Sequence, residues 1–180
     1  MSRSPLLDID YNIKVLISMV KNVKVMLSKV HAYVDLGGGD CSLTSFVVNI
    51  IKPTRTIAVD IDDKSLSICS NRGFEVLKAD LNSENLPLPN NSVDLVSAFE
   101  VVEHLWNKDH MLEEAYRILR PGGILLLSTP NLTAWASRIL FLIGKPPFHY
   151  DCSFKYRLHR DPYGHVSLYT LDLLTKHLNE

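Results

Sequence analysis

The sequence predicts an α/β fold, a doubly wound and mostly parallel sheet. Three observations predict this class. Short apolar runs alternate with segments of helical spacing, the pattern of strand–helix–strand units. The run Thr56–Val59 is apolar beyond its first residue, as suits a parallel strand covered on both faces. The segment VDLGGGDC, Val34–Cys41, then TIAVD ending at Asp60, reads as strand, glycine turn, helix start and a second strand tipped by an acid. Such a turn lets a ligand approach bare backbone, and an acid about 20 residues on can accept hydrogen bonds from both hydroxyls of a ribose. An adenosine-containing cofactor suits that combination.

The elements follow in order. Ile9, Ile13, Leu16, Val20, Val23 and Leu27 recur at spacings of three and four, predicting an amphipathic helix over 9–29 with Lys21, Lys24 and Lys29 toward solvent. Ala32–Leu36 is strand one, and Leu43–Asn49 the helix after the glycines. Pro53 breaks the chain before strand two. Asp62 or Asp63 caps a helix running to about Asn71, and Gly73 ends it. Glu75–Lys78 is a short third strand, with Asp80 just beyond it.

The loop LNSENLPLPNNS excludes regular structure through its prolines and asparagines. Val93–Ala98 is strand four, with Asp94 shaping its start. Lys108–Leu119 is a helix capped by Asn107 and stopped by RPGG, Arg120–Gly123. Ile124–Ser128 is strand five. Leu132–Ile143 has helical spacing, residues 144–166 form a long loop rich in aromatics and histidine, and Thr170 caps a last helix over Leu171–Leu178. Right-handed crossovers put helices on both faces. Ligands of such sheets bind beyond the carboxyl ends of the strands, where the glycine turn, Asp60, Asp80 and Phe99 all fall.

Bulk properties bound the function. A chain of 180 residues suits one domain over 1–180. A net charge of −1 offers no broad attraction to nucleic acid or anionic lipid. The cysteines, Cys41, Cys69 and Cys152, are widely separated, odd in number and without a CxxC pair, which predicts free thiols in a reducing compartment. No apolar run approaches the roughly 20 residues that cross a bilayer. MSRSPLLDIDYN lacks the apolar core of a secretion signal. The expectation is a cytoplasmic protein without stable membrane association.

At this point the motifs resemble a known family. VDLGGGDC is similar to the first motif of class I S-adenosylmethionine-dependent methyltransferases, and AVDID and KADLN to the motifs at the next two strand tips. LPLPNNSVDLVSAFEVVEHL resembles the strand-four region of the ubiquinone-biosynthesis-like, small-molecule subgroup. EAYRILRPGGILLLSTPN and GHVSLYTLDLL resemble later blocks. The likeness spans roughly residues 30–178.

The resemblance implies a Rossmann-like sheet of order 3-2-1-4-5 and S-adenosylmethionine as cofactor, with S-adenosylhomocysteine as product. It implies that Asp35 and the glycines Gly37, Gly38 and Gly39 face the methionine moiety. Asp60 would hold the ribose and Ile61 flank the adenine. Asp80 would accept from the adenine amino group beside the Leu81 backbone, and Phe99 would sit near the adenine or the sulfur. Two departures stand out. Cys41 replaces the family's third glycine, where a side chain crowds the methionine moiety or the turn. The family's final strands have no counterpart here, leaving strand five as a bare edge that a homodimer would cover, or marking a truncated parent.

Rival readings stay in view. A nicotinamide-binding turn wants glycine at position 42, where Ser42 stands. Asp60 and Asp80 also serve as ordinary capping or turn acids. His104, His149 and His165 are the candidate general bases, each also readable as structural. His149, Cys152, His159 and His165 lack the tight ligand pairs of structural zinc sites, so no metal is expected. The loop 144–166 reads instead as a lid over a small-molecule methyl acceptor, part of a substrate-side region over 131–169. A nucleic-acid substrate is not expected, since AFEV stands where amino-methylating enzymes carry Asn/Asp-Pro-Pro-aromatic. A non-catalytic cofactor-binding or partner-binding module is the alternative to an enzyme.

Overall fold

The computed structural model describes residues 7–145 and 165–179. Five strands, β1 (Ala32–Leu36), β2 (Arg55–Asp60), β3 (Glu75–Lys78), β4 (Val93–Phe99) and β5 (Leu119–Ser128), form one sheet of order β3-β2-β1-β4-β5. All four pairings are parallel. Among the described residues six helices accompany them: α1 (Leu7–Met26), α2 (Ser42–Ile51), α3 (Asp63–Asn71), α4 (Lys108–Ile118), α5 (Trp135–Leu142) and α6 (Leu171–His177). A 3-10 turn, Val102–His104, follows β4.

The residue pattern explains the layering. Successive side chains of a strand point to opposite faces. Tyr33, Leu95 and Phe99 therefore share one face, where they pack with Val20 and Val23 of α1 and with Val47 and Ile51 of α2. Val34, Leu36, Val96 and Ala98 share the other, against Met111, Ala115 and Ile118 of α4 and Tyr169 ahead of α6. The interior strand β4 is buried at all seven positions, so both faces need cover. Each buried large apolar side chain contributes roughly 1.5–3 kcal/mol.

Local signals set the helix starts. The Asp62 carboxylate accepts from Ser65 N at 2.9 Å and begins α3. Asn107 Oδ1 caps α4 through His110 N, and Thr170 Oγ1 caps α6 through Leu173 N at 3.2 Å. The predicted N-terminal helix over 9–29 is observed as Leu7–Met26, and that over 132–143 as Trp135–Leu142.

Two expectations fail. RPGG does not separate helix from strand. β5 already starts at Leu119, which pairs with Val93, and the next pair is Leu95 with Ile124. Arg120–Gly123 is thus a bulge inside the strand, a place that suits Pro121 on a sheet edge. Arg120 closes this bend by pairing at 2.8 Å with buried Asp94. Asp94 also accepts from His31 N and Ala32 N at 2.6 and 2.8 Å, tying the starts of β1, β4 and β5 together.

Cys41 and Cys69 are not free thiols; they form a disulfide. Folding α3 back beneath the glycine turn brings Cα atoms 28 residues apart in sequence to 5.4 Å, a proximity that sequence spacing does not signal. The cysteine argument for a reducing compartment therefore lapses. Cys152 lies outside the described residues. No described helix is long and apolar enough to cross a membrane.

The loop after β3 has no regular structure, as its composition predicts, yet it is firmly held. Glu114 of α4 accepts from Leu86 N at 2.7 Å. Arg117 donates to the carbonyls of Leu86 and Leu88 and pairs with Glu114 at 2.7 Å. Leu86 and Leu88 are thereby held in the core beneath the strand tips.

Candidate functional site

The site is built at the carboxyl ends of β1, β2 and β4. After Leu36 the chain turns through Gly37 at φ +69° and Gly39 at φ +52°, conformations that favour glycine. Gly37 and Gly38 both donate to Val59 O, at 2.8 and 3.1 Å. A Cβ on Gly37 would meet Val101 Cγ2 at 2.5 Å, so the turn is packed tight beneath. Gly39 differs, because a Cβ there would meet no protein atom within 4 Å. Its exposed face borders a cleft of about 210 Å³ lined by Asp35, Gly37, Gly38, Gly39, Asp40, Leu43 and Phe99. Sites for drug-sized ligands run to roughly 300–1,000 Å³, so a cofactor seated here extends over the rim toward the neighbouring strand tips.

Cys41, at the third-glycine position, does not crowd the cleft. It adopts φ +58°, and its fully buried side chain turns away into the disulfide with Cys69. The cross-link stands where glycine would otherwise ease the turn into α2.

Asp35 sits at the base of the cleft, 2% exposed. Its carboxylate accepts from Thr44 Oγ1 and Ser97 Oγ, each at 2.5 Å. Ser97 spends its proton on Asp35, so the Tyr33 hydroxyl, 2.7 Å from Ser97 Oγ, must donate in turn. Burial pushes the Asp35 carboxyl up to about 6, with the two hydroxyl bonds opposing and the Asp60 charge adding to the rise. Burial also lifts the Tyr33 phenol well above its ordinary value. The sequence reading missed Ser97, Thr44 and Tyr33 as partners of Asp35, although Ser97, a lone hydroxyl in the interior of strand four, was a visible signal.

Asp60 ends β2 and fastens the turn. Its Oδ2 accepts from Gly39 N and its Oδ1 from Asp62 N, both at 2.9 Å. A carboxylate offers about four acceptor positions, so two remain for a ligand's hydroxyls. Ile61, next in the chain, is 54% exposed and presents apolar surface beside them. Asp80 bends the loop after β3: Oδ1 accepts from Asn82 N and Nδ2 at 2.9 and 2.8 Å, whereas Oδ2 has only a 3.4 Å contact with Ser83 Oγ. These bonds, Asn82 N foremost, hold the Asp80 carboxyl below its ordinary value, leaving it charged and able to accept. Leu81 is buried beneath the loop, and Phe99 closes the cleft on the β4 side.

A second cluster lies just past β4. Glu103, in the 3-10 turn, is 1% exposed. His104 Nε2 is 3.9 Å from Glu103 Oε1, and the rings of His104 and His165 meet edge-on with centroids 5.0 Å apart. Burial pushes the Glu103 carboxyl up to about 7; the nearby Thr129 hydroxyl offsets this slightly without completing a hydrogen bond. Of the three candidate bases, His104 and His165 are brought together here. His149, like residues 146–164 of the expected lid, lies outside the described residues. Glu103 was not singled out from the sequence as a site residue.

The parallel sheet of order β3-β2-β1-β4-β5 with its flanking helices is the Rossmann-like fold of class I S-adenosylmethionine-dependent methyltransferases. Residues 34–127, just over half of the chain, match the family model described as "Methyltransferase domain", and the chain belongs to that family, whose cofactor is S-adenosylmethionine. Over 99 residues it is 40% identical to a probable S-adenosylmethionine-dependent methyltransferase of Mycolicibacterium smegmatis, covering 53% of this chain and 36% of that one. Over 100 residues it is 35% identical to the ubiquinone/menaquinone biosynthesis C-methyltransferase UbiE of Hydrogenovibrio crunogenus, covering 52% and 39%. The chain thus spans under half the length of these relatives.

The solved structure of a possible histamine N-methyltransferase from Thermotoga maritima superposes with a TM-score of 0.64 at 22% identity, over 91% of this chain and 69% of that one. The [4+2]-cyclase SpnF matches at 0.62 and 17% identity, over 90% and 56%. At such identities the likeness is one of fold alone.

Proposed function

We propose that this chain binds S-adenosylmethionine across the tips of β1, β2 and β3 and transfers its methyl group to a small molecule. The observation that carries this reading is the open face of Gly39 beside Asp60. Bare backbone is presented to a cleft at that point, next to a carboxylate with two acceptor positions left. Bound there, the cofactor supplies an activated methyl group on a sulfonium. The chain's own residues then bind and orient. Asp60 takes the ribose hydroxyls, Ile61 lies along the adenine, Asp80 and the Leu81 backbone read its edge, and Asp35 with Gly37–Gly39 receives the methionine end beside Phe99. Little covalent chemistry is asked of the protein, since alignment of reacting groups alone supplies roughly 7–11 kcal/mol in well-oriented systems.

A small-molecule acceptor is supported by the names of the curated relatives that act in quinone biosynthesis. A second reading is a cofactor-binding or partner-binding module without transfer of its own. Calorimetric titration with S-adenosylhomocysteine tests what both readings share. Asp60→Ala should weaken binding a hundredfold or more, because two hydrogen bonds to a charged group contribute about 1.5–3 kcal/mol each. Unchanged affinity in a folded variant removes Asp60 from the site. Methyl transfer from labelled cofactor to a panel of small acceptors then separates enzyme from module. We also propose that a second copy covers β5, which among the described residues pairs with β4 alone; a monomer by sedimentation at micromolar concentration overturns this.

A further inference from the structure

Glu103 is a buried carboxyl group facing His104 at 3.9 Å without a hydrogen bond. It is 1% exposed, and neither of its carboxyl oxygens makes a hydrogen bond. Burying a carboxyl group without hydrogen bonds costs several kcal/mol, and an apolar side chain of equal size would avoid that cost. What surrounds it is a set of metal-ligating atoms. One ligand atom from each of Glu103, His104 and His165 lies within 4.8 Å of the others. The charge of Glu100 also acts on this spot.

The fold goes to some length to bring His165 there. Val166 N and Ser167 N both donate to Glu103 O, at 2.8 and 3.1 Å. The Lys108 ammonium holds the Ser167 hydroxyl. Leu132 N donates to Tyr169 O at 2.8 Å. Tyr169 OH and Asp109 hold His177 from two sides, at 3.0 and 2.6 Å. The segment carrying His165 is therefore clamped to the turn carrying Glu103 and His104, some 60 positions away in sequence.

We propose that Glu103, His104 and His165 bind a divalent first-row metal ion, with zinc the ion that the donor set fits best. Two imidazoles and one carboxylate are the ligand set of catalytic zinc centres and of the facial triad, whereas magnesium and calcium favour oxygen donors throughout. Bonds of about 2.0–2.2 Å place ligand atoms roughly 3.0–3.5 Å apart, so loading draws the cluster in by about an ångström. Three protein ligands leave at least one coordination position open. Glu103 stands four residues beyond Phe99, which lines the cleft. The open position therefore suits an acceptor that ligates the ion through an oxygen, such as a hydroxyl or enol, whose proton the ion would loosen. That assignment of the acceptor rests on the methyl-transfer reading; the metal site does not.

The test is a zinc titration of the full chain in competition with a chromophoric chelator. One zinc per chain is expected. Glu103→Gln and His165→Ala should each weaken it tenfold or more. Glu103→Gln should also melt no lower than the parent in the absence of metal, since it removes a buried carboxyl that makes no hydrogen bond; a structural glutamate would show a loss. A His149→Ala/Cys152→Ser variant guards against binding elsewhere and should keep its zinc. Failure to bind one equivalent, or equal affinity in the parent and Glu103→Gln, overturns the site. Titration with S-adenosylhomocysteine is read separately, so that loss of the cofactor reading and loss of the metal reading give different results.

Discussion

Adding one methyl group at Gly39 separates the conformational role of the turn from its role as a ligand surface. Gly39 has φ +52° and no protein atom within 4 Å of an added Cβ. Gly73, after α3, has φ +86° and the same empty surroundings, but it is not among the residues lining the cleft. The left-handed backbone costs a side-chain-bearing residue roughly 1–2 kcal/mol, and alanine should be destabilising by that amount at either position. For a chain of this length that corresponds to a fall in Tm of about 2–8 °C.

Binding should distinguish the two. At Gly39 the methyl enters space that the ligand is to occupy, and such overpacking costs about 1–3 kcal/mol, or roughly 5- to 150-fold in affinity. Thermal unfolding and calorimetry with S-adenosylhomocysteine on Gly39→Ala and Gly73→Ala give both numbers. Equal Tm losses with affinity lost at Gly39 alone support the reading. Gly39→Ala binding as tightly as the parent refutes the claim that ligand lies against this turn.

Two further outcomes follow from buried charge. The folded Asp35 carboxyl titrates at about 6 against an ordinary 3.8, so the native state binds the extra proton between those values. Its contribution is fully present below pH 3.8 and lost as pH rises through 6, about 3 kcal/mol in all at roughly 1.4 kcal/mol per unit; the stability of Asp35→Asn relative to the parent should rise by that order between pH 4 and 7, and parallel curves would contradict the assignment. Glu114→Ala leaves Leu86 N and Arg117 without their partner, costing about 2–3 kcal/mol. It should release the loop after β3, read as faster hydrogen exchange at the Leu86 amide; unchanged protection would show that the loop is held by something else.

The sequence by itself determined most of the elements and, through the family its motifs resemble, the strand order. Apolar runs and helical periods are local, and so are the glycine turn and the caps at Asp62, Asn107 and Thr170; each acts within a few residues and leaves its mark in the string. Tertiary structure decided what distant residues do to one another. It joined Cys41 to Cys69, turned Arg120–Gly123 into a bulge opposite β4, and wired Asp35 to Ser97 and Thr44. It also carried His165 to Glu103 and His104. Those relations depend on how strands and helices pack across the sheet, and residues that meet only through packing have no fixed spacing by which a sequence could announce them.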